Sequence, residues 1–158
     1  LVDDFTLITQ NVDNLHQRAG SRNVIELHGN ITRSYCIDCH RTAPAPGGEA
    51  VELCEACGGF IRPDVVWFGE MLPEGAMERA DAAARRAEVF LSIGTSGVVY
   101  PAAGIPLLAA DHGAYTAEIN LEPSALAAYM DETVEGMAGE ILPALVRDVA
   151  DAGARAVP

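Results

Sequence analysis

The chain has 158 residues, 49% of them hydrophobic, enough for one core or for one core with a small satellite module. Its 10 Lys and Arg against 23 Asp and Glu give a formal charge of -13, which repels phosphate backbones and anionic lipid, so nucleic acid and membrane are excluded as partners. An acidic surface attracts Lys-rich proteins or simply keeps a chain in solution, and charge alone does not separate the two.

The chain opens at Leu1 without a Met and enters the apolar run Phe5-Thr6-Leu7-Ile8-Thr9 almost at once, so it is expected to be part of a longer protein. No basic, then apolar, then small-residue leader precedes that run, which makes a cytoplasmic address the default. The run predicts a strand buried in a parallel sheet, and it delivers Gln10, Asn11, Val12 and Asp13 to the strand's C-terminal end, where ligands bind in open α/β sheets. A short helix over 14–19 closes at Gly20, and a second strand over 24–27 ends at His28 and Gly29. Histidine titrates near neutrality as a side-chain type, so His28 suits a general base, although a lone His in such a place is more often a satisfied polar residue.

Between residues 33 and 62 the apolar periodicity fails, and Cys pairs, Pro44, Pro46, Gly47, Gly48, Gly58 and Gly59 take over. Two residues separate Cys36 from Cys39, fourteen intervene before Cys54, and Cys57 completes a second pair, the spacing of a zinc ribbon. Two disulfides or a redox pair are the rival readings, and the lack of a secretory leader and of a helix opening at either pair argues against both. Four sulfur ligands close a tetrahedral shell, so this zinc is structural and the chemistry lies elsewhere. His40 reads as an exposed neighbour. The expected organisation is therefore a zinc-binding module over 33–62 inserted in a larger α/β domain formed by 1–32 and 63–158.

The segment Pro63-Asp64-Val65-Val66-Trp67-Phe68-Gly69-Glu70 reads as an extended stretch returning to the main sheet. Met77, Ala80, Ala84 and Ala87 recur at helical spacing and predict a helix over 74–88, followed by a buried strand over 89–93. The uncharged stretch 89–110 is long enough for a bilayer, but Gly94, Gly97, Gly104, Pro101 and Pro106 break it into strand, tight turn and packed helix. Gly94, Thr95 and Ser96 offer backbone amides and hydroxyls at that turn, though without a full dinucleotide fingerprint, and Val98 stands where a hydrolase elbow requires Gly. A strand over 115–119 ends in Asn120, Leu121 and Glu122, a final helix carries Ile141, Leu142, Leu145, Val146 and Val149 with Pro143 near its first turn, and the tail from 151 is expected to fray. The alternation of strands and helices is that of an α/β fold.

In order, the polar run Thr9-Gln10-Asn11-Val12-Asp13-Asn14-Leu15-His16, Glu26-Leu27-His28-Gly29, the two Cys pairs, residues 63–70, Gly94-Thr95-Ser96 and Asn120-Leu121-Glu122 resemble the sirtuin family across nearly the whole chain. The stretch from Gly94 to Gly104 looks most like the bacterial branch that holds desuccinylases as well as deacetylases. The resemblance implies a Rossmann-like parallel sheet carrying a zinc ribbon. It also implies deacylation of acyl-lysine in proteins or peptides with NAD as a consumed co-substrate, released as nicotinamide and O-acyl-ADP-ribose. By the same resemblance His28 is the general base, and Gln10, Asn11, Val12 and Asp13 line the nicotinamide and ribose pocket. Gly94, Thr95, Ser96, Asn120, Leu121, Glu122 and Ala138 hold the rest of NAD. Val65, Val66, Trp67, Phe68, Gly69 and Glu70 pair by backbone with an extended peptide. The family's first strand and its Gly-rich cofactor loop are not among these residues, so the sheet is expected to be incomplete and this chain alone to bind NAD weakly with little turnover. The alternatives are a zinc-ribbon interaction module without catalysis, docking a protein through Trp67 and Phe68, and an NAD-dependent oxidoreductase, which the missing Gly-rich fingerprint disfavours.

Overall fold

The computed structural model describes residues 4–44 and 52–155, so Pro46, Gly47 and Gly48 lie outside the described residues. Chain contacts divide it into two compact units, one running Thr6–Arg79 and the other holding Ala80 onward together with the residues up to Phe5.

In the Thr6–Arg79 unit, β1 (Leu7–Thr9) pairs in parallel with β2 (Val24–Glu26), Leu7 opposite Val24 and Thr9 opposite Glu26. The intervening α1 (Leu15–Arg18) is a single turn, and Gly20 at φ 95 takes the left-handed conformation that ends it. A second, antiparallel sheet has the order β4 (Thr42–Ala43), β3 (Gly29–Cys36), β5 (Ile61–Val65). Its long ladder runs from Gly29 opposite Val65 to Cys36 opposite Ile61, with a register shift between Asn30 and Ser34. Residues 63–65 thus pair with β3 and not with the parallel sheet, because their neighbours Ile61 and Arg62 are already committed to the strand that carries Cys36. Gly29, at φ 80, lies so close to that partner that a Cβ would stand 2.1 Å from the Asp64 carbonyl oxygen.

Helix α2 (Ala76–Arg86) buries the stripe Ala76, Ala80, Ala83 and Ala84, spaced for one helical face, and carries Glu78 in its first turn and Arg85 and Arg86 in its last, the polarity the helix dipole favours. In the Ala80-onward unit a parallel sheet has the order β6 (Val89–Ile93), β7 (Tyr115–Asn120), β8 (Glu132–Glu135). Thr116, Ala117, Glu118 and Ile119 are all buried, as a central strand covered on both faces requires. Helix α3 (Ile105–Asp111), opened by Pro106 in its first turn, packs across β6 and β7 and buries Ile105, Pro106 and Ala109. Helix α4 (Ala138–Arg155) packs on β7.

Three expectations change. The strand at 89–93 is not buried: Val89, Leu91 and Ile93 are exposed, Phe90 is half-buried and only Ser92 is fully covered, because β6 is an edge of its sheet among the described residues. Helix α4 continues through the residues expected to fray from 151, up to Arg155, and Pro143 sits inside it and not at its start. Strands β4 and β8 had no signal, being short and, apart from Val134, built from Thr, Ala and Glu. No helix of the described residues is long and apolar enough to cross a membrane.

Candidate functional site

The loop after β1 is held at every residue. The Asn11 amide donates to Thr9 Oγ1 at 3.0 Å, the Val12 carbonyl accepts from the Ile31 amide at 2.8 Å, and Asp13 Oδ1 accepts from the Leu15 amide at 2.9 Å. Asn14, left-handed at φ 62, accepts at Oδ1 from the amide of Asn30, a side chain 1% exposed that also donates to Glu26. Glu26 is further engaged by Gln17 and by Arg33, which bridges it to Asp64. Gln10 meets His28, whose Nδ1 lies 3.2 Å from the Gln10 carbonyl oxygen. A carbonyl only accepts, so Nδ1 carries the hydrogen and Nε2 of the neutral ring is left with a lone pair, the state of a ring ready to take a proton. The structure thus brings together Gln10, Asn11, Val12, Asp13 and His28, with Asn11 and Asp13 exposed and Gln10 and His28 half-buried.

The 65–70 segment is tied to the same place, since the Val66 amide donates to the His28 carbonyl at 3.0 Å. Its far end is fixed by Arg62, which forks onto both carboxylate oxygens of Glu70, donates to the Val65 carbonyl at 2.9 Å and lies over the rings of Tyr35 and Trp67. Glu70 in turn accepts from the Trp67 amide. The Arg62 guanidinium first, and that amide second, hold the Glu70 carboxyl below its ordinary range. Trp67 and Phe68 are 62% and 101% exposed.

Cys36, Cys39, Cys54 and Cys57 form one cluster, their sulfurs all within 4.8 Å of one another, with Cys36 and Cys57 at 3.4 Å and Cys39 and Cys54 at 3.7 Å. A tetrahedral zinc with four thiolates at its usual bond length places sulfurs about 3.8 Å apart, so the set fits that ion. Its protonation points the same way. Backbone amides, that of Cys39 foremost, bring Cys36 down to about 7, whereas Cys57, in spite of the Gly59 amide, is pushed up to about 12 by the thiols of Cys36 and Cys39. A divalent cation among the four sulfurs would favour their thiolate forms, which are the forms that ligate metal. His40 is exposed, stacked on Tyr35 at 6.2 Å between ring centroids, and takes no part in the cluster.

In the Ala80-onward unit the loops after β6 and β7 meet. The Asn120 side-chain amide donates to the Thr95 carbonyl at 2.9 Å, and Asn120 Oδ1 accepts from the Leu121 amide at 3.0 Å. The Gly94 amide donates to the Ile119 carbonyl and the Gly136 amide to that of Asn120, which brings the start of α4, at Ala138, to the end of β7. Gly94, Thr95, Ser96, Asn120, Leu121, Glu122 and Ala138 therefore share one sheet end. Asn30, which holds the 9–13 loop through Asn14, Arg62, which holds the 65–70 segment, and Glu118, which holds the loop after β7, carry no sequence signal, because each stands in a run whose spacing describes a strand or turn and not its partner; Glu26 stands out only as part of the Glu26-Leu27-His28-Gly29 run.

A parallel α/β protein with a histidine braced at a strand end and a four-thiol metal clasp is the class these features define. A sequence model described as "Sir2 family" matches residues 2–101. NAD-dependent protein deacylase 2 of Pyrobaculum aerophilum is 54% identical over 145 residues, covering 90% of this chain and 58% of that protein. A crystal structure of a Sir2 homologue in complex with NAD superposes with a TM-score of 0.90 at 45% identity, over 94% of this chain and 59% of the other. A structure of Sir2Tm bound to a propionylated peptide gives 0.86 at 35% identity, over 92% and 64%. The chain belongs to the Sir2 family, and it spans less than two thirds of the length of these relatives.

Proposed function

We propose that the protein is an NAD-dependent protein-lysine deacylase that transfers the acyl group to ADP-ribose, releases nicotinamide and frees the lysine amine. The observation that carries the reading is the braced imidazole: Nδ1 of His28, in the connection from β2 to β3, is occupied by the Gln10 carbonyl, so Nε2 is the proton acceptor, and the 10–13 loop that it meets through Gln10 is itself fixed by hydrogen bonds. NAD supplies the electrophilic ribose carbon and the nicotinamide leaving group. In this reading His28 takes the ribose hydroxyl proton, and Gln10, Asn11, Val12 and Asp13 orient the nicotinamide and its ribose. Gly94, Thr95, Ser96, Asn120, Leu121, Glu122 and Ala138 bind the remainder of the dinucleotide. Residues 65–70 offer backbone to an extended acyl-lysine peptide, either acetylated or succinylated.

Cys36, Cys39, Cys54 and Cys57 hold a structural zinc within a module over 33–62, set in the Rossmann-like domain of 1–32 and 63–158. A cytoplasmic address agrees with four thiols held as a cluster and not bonded as disulfides. Residues 1–158 alone bind NAD weakly and turn over little or none, because no Gly-rich phosphate loop of the family pattern occurs in them.

The test is nicotinamide release from NAD with an acyl-lysine peptide, comparing residues 1–158 with a chain extended by the N-terminal segment of a sirtuin. Release by the extended chain, abolished by His28→Ala, supports the reading. The exposure of Trp67 and Phe68 favours a second one, a zinc-ribbon module that binds a protein partner without catalysis. Partner binding that survives His28→Ala, with no nicotinamide released by any form, marks that outcome.

A further inference from the structure

Glu118 sits in the middle of β7 with 0% of its surface exposed. A fully buried carboxyl at a sheet centre is costly, and for stability alone an apolar side chain of similar volume serves as well or better. The cost is visible here. Opposite it in register on β6, and so on the same sheet face, stands Ser92, 4% exposed. Glu118 Oε2 and Ser92 Oγ are both buried without a hydrogen-bond partner among the described residues.

The other carboxyl oxygen explains what is gained. Glu118 Oε1 accepts from the Ser124 amide at 2.9 Å and from Asn120 Nδ2 at 3.2 Å. That same Nδ2 donates its other hydrogen to the Thr95 carbonyl at 2.9 Å. Both amide hydrogens of Asn120 are therefore spent inside the protein, and Asn120 clasps the loop after β6 to the loop after β7. Ser124 extends the brace: its Oγ accepts from the Leu126 amide at 3.0 Å, and Leu126, 3% exposed, abuts Gly97, where a Cβ would lie 2.5 Å from Leu126 Cγ. One buried oxygen thus sets the separation of Thr95, Asn120 and Ser124.

We propose that Glu118 is a positioning residue for NAD: from within the sheet its Oε1 fixes Asn120 and Ser124, so that the loops after β6 and β7 present a preformed surface to the dinucleotide. The inference rests on the deacylase reading, since it takes those loops as the ones that hold NAD. It separates two properties that a merely structural residue would keep together. Glu118→Leu removes the acceptor but fills the space with an apolar side chain, so the fold keeps or gains stability while the loops lose their brace. Glu118→Gln retains an acceptor for both donors and adds an N–H that faces the Ser92 side. Glu118→Asp keeps the carboxyl but is too short to reach either donor.

The experiment is titration of the N-terminally extended, zinc-loaded chain with ADP-ribose and with NAD, alongside thermal melts, for the wild type and the three variants. The expected result is a dissociation constant raised at least about tenfold in Glu118→Leu, with a melting temperature no lower than wild type, and Glu118→Gln within about threefold of wild type. Should Glu118→Leu not fold, Glu118→Asp is expected to show the same loss of affinity. Wild-type affinity in a folded Glu118→Leu, or in Glu118→Asp, overturns the inference and leaves the deacylase reading standing. Failure of the wild type itself to bind either ligand removes both.

Discussion

The two units hold their loops in place by different means. In the Thr6–Arg79 unit few apolar side chains are buried, Ile25, Leu27 and Ala76 among them, and order comes from four thiols, the Asn14, Asn30 and Glu26 network and the Arg62 clasp on Glu70. In the Ala80-onward unit a conventional α/β core of Ile105, Ala109, Ala117, Ile119 and Leu126 carries the fold, and one buried carboxyl is added to it to brace two loops. The contrast teaches that the first unit depends on a metal and on polar pairing, which fail as a set, whereas the second loses function at its loops before it loses structure.

Zinc removal is the sharpest way to break the comparison. Structural zinc contributes on the order of 10–16 kcal/mol of apparent binding energy in small zinc modules, comparable with the whole stability of a domain. Chelation, or Cys36→Ala, is expected to release one zinc per chain and to abolish hydrogen-exchange protection along β3 and β5, while β6, β7 and β8 stay protected. Loss of protection in all strands together would contradict the division.

Glycine tests come next. Gly29→Ala sets a Cβ against the Asp64 backbone at φ 80, and neither strand can yield without breaking the ladder, so a loss of about 2–5 kcal/mol is expected in denaturant unfolding. Gly97→Ala, at φ 68, meets side chains and not backbone, Leu126 Cγ at 2.5 Å and Ser124 Oγ at 3.4 Å, and about 1–3 kcal/mol is expected. The order of the two effects is the prediction, because backbone cannot repack and a leucine can.

Much of this is legible in the sequence, and the boundary is physical. The Cys pairs declare themselves because metal ligation needs fixed spacing along the chain, and α2 does so because Met77, Ala80, Ala84 and Ala87 recur at helical spacing, although the face it buries is Ala76, Ala80, Ala83 and Ala84, with Met77 and Ala87 half-buried. His28 and the 9–13 run are recognisable as a strand-end cluster, but the Gln10 carbonyl that sets the imidazole tautomer is a backbone group eighteen positions away and leaves no trace in side-chain identity. Glu118 is hidden for another reason: alternation within Thr116-Ala117-Glu118-Ile119 makes a Glu look solvent-facing, and only the burial of both faces of β7 shows otherwise. The exposure of β6 likewise depends on what lies beside it, not on Val89, Leu91 and Ile93 themselves.

Acid should touch both units. Glu70, held down by Arg62 and the Trp67 amide, and Asp131, held down by the Thr116 amide and hydroxyl, both lie below the ordinary carboxyl range. With folded values below the unfolded one, the stability they add is fully present above about pH 4 and drains as the pH falls through the folded values. Trp67 fluorescence should therefore change only below about pH 4, and Glu70→Gln should show the altered signal at neutral pH already. A transition above pH 5 in the wild type would be inconsistent with the clasp. The smallest effect belongs to the exposed pair Arg86 and Asp4, 3.4 Å apart, where Arg86→Ala is expected to change stability by less than about 0.5 kcal/mol in the same unfolding assay.

The central claim is that His28 works through Nε2 because the Gln10 carbonyl holds Nδ1, and the most direct measurement is nicotinamide release against an acyl-lysine peptide by the N-terminally extended chain and its His28→Ala and His28→Gln variants. Peptide-dependent release is expected, and both substitutions abolish it while one zinc per chain and the melting temperature are retained. Undiminished release by either folded variant would contradict it.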